Sequence, residues 1–574
     1  VICRRILLSI FASLACALAA DAPHAAAAPV FGVNAAGVPV GGQLDAALGT
    51  GAKEVRMFVL WRDLEPQAKG RFEPGLVQAY TDIVARLAAA GVRPAFVFTA
   101  APAWASGSTS TAAPPRDPAD YASALSRFAA LPGIAGHHIA YELWNEPDAA
   151  AWWAPPDPAR YAALVRAAAP ALRAADPTAE VVLGPTTGSD HPWLEKLYDN
   201  GIAGAFDAAA VHLDTACLVD PPDRFFREGG RISRYSFLGV REVLATLRAH
   251  GDDKPVRVTE FGWSSTQLPG GGGPDCRRGR WAGQKPSGVT PEAQAAFLTQ
   301  GYHCLAAEPG VEAATWFTLY DAPSEPVDEL RHYGLLTAGG ARKPAADAFA
   351  AIVAGGDRLA GPCGDFEGPS ITIVTPQGGT AYADSLLITA SARDATGPRR
   401  ISFIADGRLI RNFTQNLAND RPVSIDWQGA KRLGLGPHRI EVVAVDAQGN
   451  ETRQAVDVRK VMPRELLAAG PVRFALRPVR CRRSRVCTAG GSLGNPVSSS
   501  LPGKVDVVWQ WRAGTGGVWR TLHRWTEPAG RPFTFRQRLA RAGTWRVGFR
   551  YRPPRPLRAT MSPWTPFRVP AAPP

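Results

Sequence analysis

Past residue 20, no segment of this 574-residue chain reaches the ~18 to 20 uninterrupted apolar residues that a spanning helix needs, so no membrane span is expected. Charge is sparse as well. At 20% charged and 46% hydrophobic residues the chain is too apolar for disorder, and its length allows two to four packed domains. Cysteine is scarce, with eight in all, two of which (Cys3 and Cys16) lie at the extreme N-terminus. The other six, Cys217, Cys276, Cys304, Cys363, Cys481 and Cys487, have spacings that match no zinc pattern. No metal or organic cofactor is expected. An even number suits disulfides in an oxidising compartment, and nearest-neighbour pairing would join Cys217 to Cys276, Cys304 to Cys363 and Cys481 to Cys487.

Acidic residues are what the C-terminal region lacks. From 461 to 574 there are 21 Lys and Arg, 20 of them Arg, against only Glu465, Asp506 and Glu527, a balance of +18 beside −5 for the rest of the chain. Six tryptophans (509, 511, 519, 525, 545 and 564) are interleaved with them. Such a region could hold an anionic wall polymer or exopolysaccharide, with affinity falling as salt rises. Nucleic acid is the weaker candidate for an exported protein. A structural β module whose arginines follow genomic composition stays equally open.

What is present begins with "VICRRILLSIFASLACALAADAPHAAAAP". Arg4 and Arg5, an apolar run and then small residues predict a signal peptide over 1–28 and a secreted or envelope-associated protein, expected as a monomer. From about 30 to 355, eight strand-like runs alternate with helical stretches: "VFGVN", "EVRMFVLW", "RPAFVFTA", "HIAYELW", "EVVLGP", "AAAVHLD", "VRVTEFGW" and "AATWFTLY". The helical stretches carry start signals, with Asp157 or Thr290 as cap and proline in the first turn. Eight such units predict a (β/α)8 TIM barrel over 29–357, a doubly wound open sheet being the alternative. After a linker over 358–367, short alternating strands with Pro/Gly/Asp turns predict an Ig-like β-sandwich over 368–460 and a second all-β, sandwich-like domain over 461–574. In "GTWRVGFRYRP", Trp545, Val547, Phe549 and Tyr551 share one face, and Arg546, Arg550 and Arg552 the other.

In a parallel barrel the C-terminal strand ends form the active face, so polar residues there are functional candidates. Glu146 follows the fourth run and Glu260 ends the seventh. Two carboxylates on opposite sides of one barrel mouth suit glycosidic bond cleavage: one protonates the leaving oxygen while the other attacks the anomeric carbon. Each alone could equally be a buried, ion-paired rim residue. Trp61, Trp104, Trp144, Trp263 and Trp281 lie near strand ends as candidates for sugar stacking, about half of them expected to be core instead. Arg277, Arg278 and Arg280, in the long loop after the seventh run, could meet anionic groups, although a solvated basic loop is the plainer reading.

The motifs "ELWNEPD" and "VTEFGWSS", with "VRMFVLWRDLEP", "TAAPAWAS" and "YGLLTAGGARKPA" in order around them, resemble the clan A glycoside hydrolases, family 39 most and family 5 next. The resemblance spans 30–355 and implies a retaining hydrolase acting on a polysaccharide or oligosaccharide. It implies Glu146 as acid/base, Glu260 as nucleophile, Asn145 on the sugar 2-hydroxyl, Arg56 keeping the nucleophile ionised, Trp316 beneath the reacting sugar and His212 as the strand-six histidine. The chain departs from the pattern two places after that histidine, where Asp214 replaces a tyrosine. Tyr320 or Tyr333 could supply the missing partner to the nucleophile. The rival reading is a polysaccharide-binding or wall-attachment protein built on an inactive barrel.

Overall fold

The computed structural model describes residues 29–569 except 36, 40–41, 214–219, 266–287, 323–330, 356–361, 469–471, 483, 495–500, 502, 530–531 and 554–558. The predicted signal peptide, Asp214, Cys217, Cys276, Trp281 and the arginines of the long loop lie outside the described residues. The chain divides into two compact units, Val1–Gly364 and Asp365–Pro574, a division inside the predicted linker.

The first unit is a parallel barrel. Its strands are β1 (Val30–Asn34), β2 (Glu54–Leu60), β3 (Arg93–Thr99), β4 (Ala140–Leu143), β5 (Glu180–Leu183), β6 (Ala209–Leu213), β7 (Val256–Phe261) and β8 (Val311–Trp316). They pair in the order β5-β4-β3-β2-β1-β8-β7-β6. Closure comes from a parallel bridge between Val182 and Ala208, with the Leu183 N–H donating to the Ala208 carbonyl at 2.9 Å. The extra pair Thr186–Thr187 continues β5 along β6. A closed ring of eight strands removes the open-sheet alternative.

Helices fall where their caps predict. Asp157 accepts from the N–H groups of Ala159 and Arg160 at the start of Pro158–Ala175, and Thr290 accepts from Ala293 N–H at the start of Pro291–Ala306. Each caps a donor the helix cannot satisfy itself, and the proline behind it sacrifices none. One covalent tie, Cys304–Cys363, fixes the tail of the unit to that second helix.

The barrel interior is stratified. Small residues (Ala95, Ala140, Val182, Ala208, Ala210) fill its middle. Towards the N-terminal ends of the strands, Arg257 meets Glu54, Glu180 at 3.1 Å and Glu312 at 2.9 Å. Burial outweighs Arg257 and pushes the Glu180 carboxyl up to about 7, with Glu312 adding to the shift.

A β-bulge sets the other end. Along β7, Arg257 pairs with Ala210 and Val258 with Val211, but Glu260 pairs with His212, so Thr259 is the extra residue. Regular alternation from the inward Arg257 would aim Thr259 into the barrel and Glu260 out to the helices; the bulge reverses this.

The second unit is antiparallel apart from the short strand Ala381–Tyr382, which runs parallel to Glu451–Lys460. Three- and five-stranded sheets between Ser370 and Lys460 enclose Tyr382, Leu386, Ile388, Ile401, Phe403, Ile440 and Val442. A second pair of sheets, between Arg473 and Val569, encloses Trp509, Phe533, Trp545, Phe549 and Tyr551. The alternation expected along Gly543–Arg552 is present: Trp545, Val547, Phe549 and Tyr551 are buried while Arg550 and Arg552 are exposed. Cys481 and Cys487 are bonded across a hairpin.

Candidate active site

Strand β4 ends at Leu143, and the next residues use backbone that non-glycine residues rarely adopt. Trp144 has φ +82° and Glu146 φ +41°. Left-handed geometry costs about 1 to 3 kcal/mol per residue and persists only where the surroundings enforce it. Here the enforcing contacts are visible. The Trp144 indole is fully buried, donates to the Trp152 carbonyl at 2.8 Å and packs edge-on to Trp153. Downstream, Asp148 accepts from the Thr187 N–H at 2.9 Å and pairs with Arg234 at 3.2 Å. Held at both ends, the turn presents Asn145 and Glu146 to the barrel axis.

Arg56, on β2 and wholly buried, is the hub. Its Nε and Nη2 reach Glu142 Oε1 and Oε2 at 2.8 and 2.9 Å, Nη2 also reaches Asn145 Oδ1 at 3.1 Å, and Nη1 pairs with Glu260. Burial opposes the charge on Arg56, yet Glu142 and Glu260 hold it firmly protonated, above the ordinary arginine range. Glu260 also accepts from Asn34 Nδ2 at 3.2 Å. His212, on β6, stands between the two rim carboxylates: Nδ1 lies 2.7 Å from Glu146 Oε1 and Nε2 3.5 Å from Glu260 Oε1. Glu146 and Glu260 keep 20% and 18% of their side-chain surface exposed, whereas His212 keeps 4%. The carboxylates are thus the solvent-accessible members of the cluster.

Asp148 sits just behind. Burial, reinforced by Glu146, pushes its carboxyl up to about 6 against the opposing pull of the Thr187 N–H and Arg234.

The structure therefore brings together Arg56, Asn145, Glu146, His212 and Glu260. It adds two residues that sequence reasoning passed over, Asn34 and Glu142. Asn34 is a polar residue at a strand's C-terminal end, the signal used for Glu146; Glu142 is a charge inside an apolar run. The partners of Glu260 among the described residues are Arg56, Asn34 and His212, rather than Tyr320 or Tyr333. Tyr333 instead lies against Phe317, and its carbonyl accepts from Trp316 Nε1 at 3.0 Å.

The tryptophans divide. Trp61 has no exposed surface, bonds Glu65 through Nε1 at 2.7 Å and packs edge-on to Trp104. Trp263, 1% exposed, packs among Phe237, Phe297 and Trp316. Both belong to the packing and offer no face to a sugar, a correction to the stacking role considered for them. Trp316, 0% exposed at the end of β8, packs against Phe261 and Trp263 and likewise offers no face to a sugar, a correction to the floor role expected for it, whereas Trp104 is half-buried. Trp152 was not anticipated. It stacks on Phe58 (centroids 5.7 Å apart, 17° between planes) beside a cleft of about 280 Å³ that Val38, Leu60, Asp63, Leu76 and Tyr80 also line. Phe58 carries Arg56 over its ring at 5.2 Å, which links one wall of this cleft to the buried arginine of the cluster.

Among the described residues one group of three carboxylates lies close together, Asp365, Asp394 and Asp446 in the second unit, with oxygens within 4.8 Å of one another. Nothing comparable with metal-binding spacing occurs among the described residues of the barrel mouth.

Fold and site together define a (β/α)8 barrel with two carboxylates facing one another across its C-terminal mouth. Residues 369–442 match the model of a bacterial Ig domain. No curated protein matches the chain. Similar solved structures include a family 39 glycoside hydrolase from Bacteroides cellulosilyticus, 19% identical over 70% of this chain and 81% of that one, TM-score 0.45. A monomeric beta-xylosidase from Caulobacter crescentus is 15% identical over 92% and 98% respectively, TM-score 0.42. An endo-beta-1,4-mannanase from Thermotoga petrophila is 13% identical over 76% and 98%, TM-score 0.36.

Proposed function

We propose that the chain is an exported, retaining O-glycoside hydrolase that cleaves a polysaccharide or oligosaccharide by double displacement. The catalytic barrel would occupy 29–357, the Ig-like module 368–460 and the basic β module 461–574, after removal of the signal peptide. The observation that carries the reading is the single imidazole of His212 spanning Glu146 and Glu260 while Arg56 pairs with Glu260 and Asn34 donates to it. We read the carboxylate gripped by Arg56 as the nucleophile and the one beside His212 as the acid/base, the division of labour this chemistry requires.

In the first step Glu146 donates a proton to the glycosidic oxygen as Glu260 attacks the anomeric carbon, releasing the leaving sugar and forming a glycosyl ester. In the second, Glu146 takes a proton from water, whose oxygen displaces Glu260. We assign Asn145, held by Arg56, to the 2-hydroxyl and the Phe58–Trp152 cleft to a neighbouring sugar. No step calls on a cofactor. The acid-poor C-terminal module is read as a contact for an anionic polymer.

The test is product analysis on a polysaccharide panel that includes acidic exopolysaccharides. Wild type should release reducing sugar, and Glu146→Ala and Glu260→Ala should not. Release by both variants would refute the site, and a first product of inverted anomeric configuration would refute Glu260 as nucleophile. Release by none would favour a binding protein on an inactive barrel.

A further inference from the structure

The C-terminal module carries its arginines and tryptophans in an arrangement, not merely in number. Its five-stranded sheet is built on Lys504–Arg512, flanked by Arg520–Pro528 and Gly543–Arg552. Side chains alternate across it. Val505, Val507, Trp509, Trp545, Val547 and Phe549 face the core. The register then places Gln510 beside Arg546, Val508 between Gly548 and Arg524, and Asp506 beside Arg550, all on the opposite face.

That outer face is organised around Arg546. Its guanidinium lies 4.4 Å from the Trp519 ring centre and 4.2 Å from that of Trp564, and its Nε donates to Gln510 at 2.8 Å. Arg512 lies over Trp519 as well, at 4.8 Å. Two cations therefore share one indole, and each is felt by the other: burial and Arg512 together draw Arg546 below the ordinary arginine range. Gly548 makes room for the arrangement, since a Cβ there would lie 2.8 Å from the Trp564 indole. Glycine in mid-strand weakens a sheet and marks close approach by another group; here the group is an indole.

Countercharge on this face is minimal. Asp506, 4% exposed, is engaged by Arg552 and Thr526 at 2.8 and 2.7 Å. Glu527 is opposite Val505 in the register and so belongs to the other face. Arg524 and Arg550 are exposed.

We propose that this outer sheet face, with Arg512, Arg524, Arg546, Arg550, Trp519 and Trp564, binds an acidic polysaccharide through its carboxylates. Guanidiniums held over indoles lose less freedom on binding than free ones, and their planar forks match carboxylates in a bidentate fashion. The register sets Arg546 and Arg550 four residues, about 13 Å, apart along one strand and Arg524 two strands, about 10 Å, from that strand, a spacing suited to charges recurring singly along an extended chain. Nucleic-acid bases would compete with those guanidiniums for the indole faces, whereas carboxylates leave the stacks intact. The preference for a polysaccharide rests on the function proposed above; the basic, aromatic face does not.

Full-length Glu146→Gln protein, used so that cleavage does not obscure binding, is run in affinity electrophoresis against polygalacturonate, a neutral glucan and single-stranded oligo-dT. Polygalacturonate should retard it, and the neutral glucan should not. Raising salt from about 50 to about 200 mM should weaken retardation. Adding Arg512→Gln and Arg546→Gln should weaken polygalacturonate binding about tenfold with the thermal transition unchanged. Gly548→Ala, which displaces Trp564 and leaves every charge in place, should also weaken it. Undiminished binding by the double arginine variant would overturn the proposal, as would tighter binding of oligo-dT than of polygalacturonate. Absent binding beside intact hydrolysis by wild type would remove this surface alone; intact binding without hydrolysis would remove only the enzymatic reading.

Discussion

Arg56 and Glu142 face each other through two contacts, 2.8 and 2.9 Å long, with neither side chain exposed beyond 1%. This pair, more than the rim carboxylates, holds Arg56 in place. Removing one member of a buried ion pair typically costs about 3 to 5 kcal/mol, because the other charge is left without compensation. Glu142→Ala should therefore lower the stability of the barrel by about that amount in denaturant titrations followed by a barrel-specific probe. Arg56→Lys should keep the charge but lose the fork, and activity should fall more than stability.

Glu146 and Glu260 should separate by leaving group. General acid catalysis contributes about 10²- to 10⁴-fold. Glu146→Ala should therefore lose roughly that factor on unactivated glycosides and much less on aryl glycosides with acidic leaving groups, which depart without a proton. Glu260→Ala should lose activity on both. Steady-state rates on a matched pair of substrates decide it; equal losses in Glu146→Ala would rule out the acid role.

Asp148 makes the loop behind the site sensitive to acidity. Its carboxyl stands at about 6 in the folded protein against 3.8 ordinarily, because burial disfavours the charge. A group raised on folding contributes stability that is complete below its unfolded value and lost as pH rises through the folded one. Between pH 7 and 4, wild type should gain stability relative to Asp148→Asn. Parallel stability curves for the two proteins would refute the shift.

Cys304 and Cys363 enclose a loop with a sequence separation of 59. Loop-closure entropy for that length is worth about 4 kcal/mol. Replacing both by alanine, or reducing the bond, should lower the stability of the first unit by up to that amount, read as a fall in its denaturation midpoint. The Cys481–Cys487 bond closes a hairpin already joined by strand pairing, and its loss should matter less.

The eight strands and the helix starts were legible because each announces itself locally: β-branched runs for β2 and β7, Asp157 and Thr290 with their prolines for the helices. Asn145, Arg56 and His212 were legible through the motifs that resemble clan A glycoside hydrolases, whereas Glu146 and Glu260 were legible because strand ends are where a parallel barrel displays polar groups. Asn34 met the same criterion and was overlooked, since asparagine after a short strand also reads as a turn. Glu142 was hidden in mid-strand, where its partner, 86 positions away, comes close only after closure. Trp61 and Trp263 stood near strand ends, but burial depends on what covers a residue, and the Glu65, Phe237 and Phe297 neighbours that claim them are set by tertiary packing. Among the C-terminal tryptophans, alternation alone separated Trp545 from its arginine neighbours; only the tertiary contacts showed Trp519 and Trp564 gathered on Arg546.

The extra residue Thr259 has a bearing on how the barrel assembles. In an unbulged ladder Glu260 would enter the apolar layer under the helices, and Arg56 would keep one carboxylate fewer. The correct alignment of β7 is then selected by charge as much as by hydrophobic fit, with Arg56 acting as a docking post that a misaligned strand fails to reach. The pairing of Arg56 with Glu260 is in that sense also a proofreading contact for the fold.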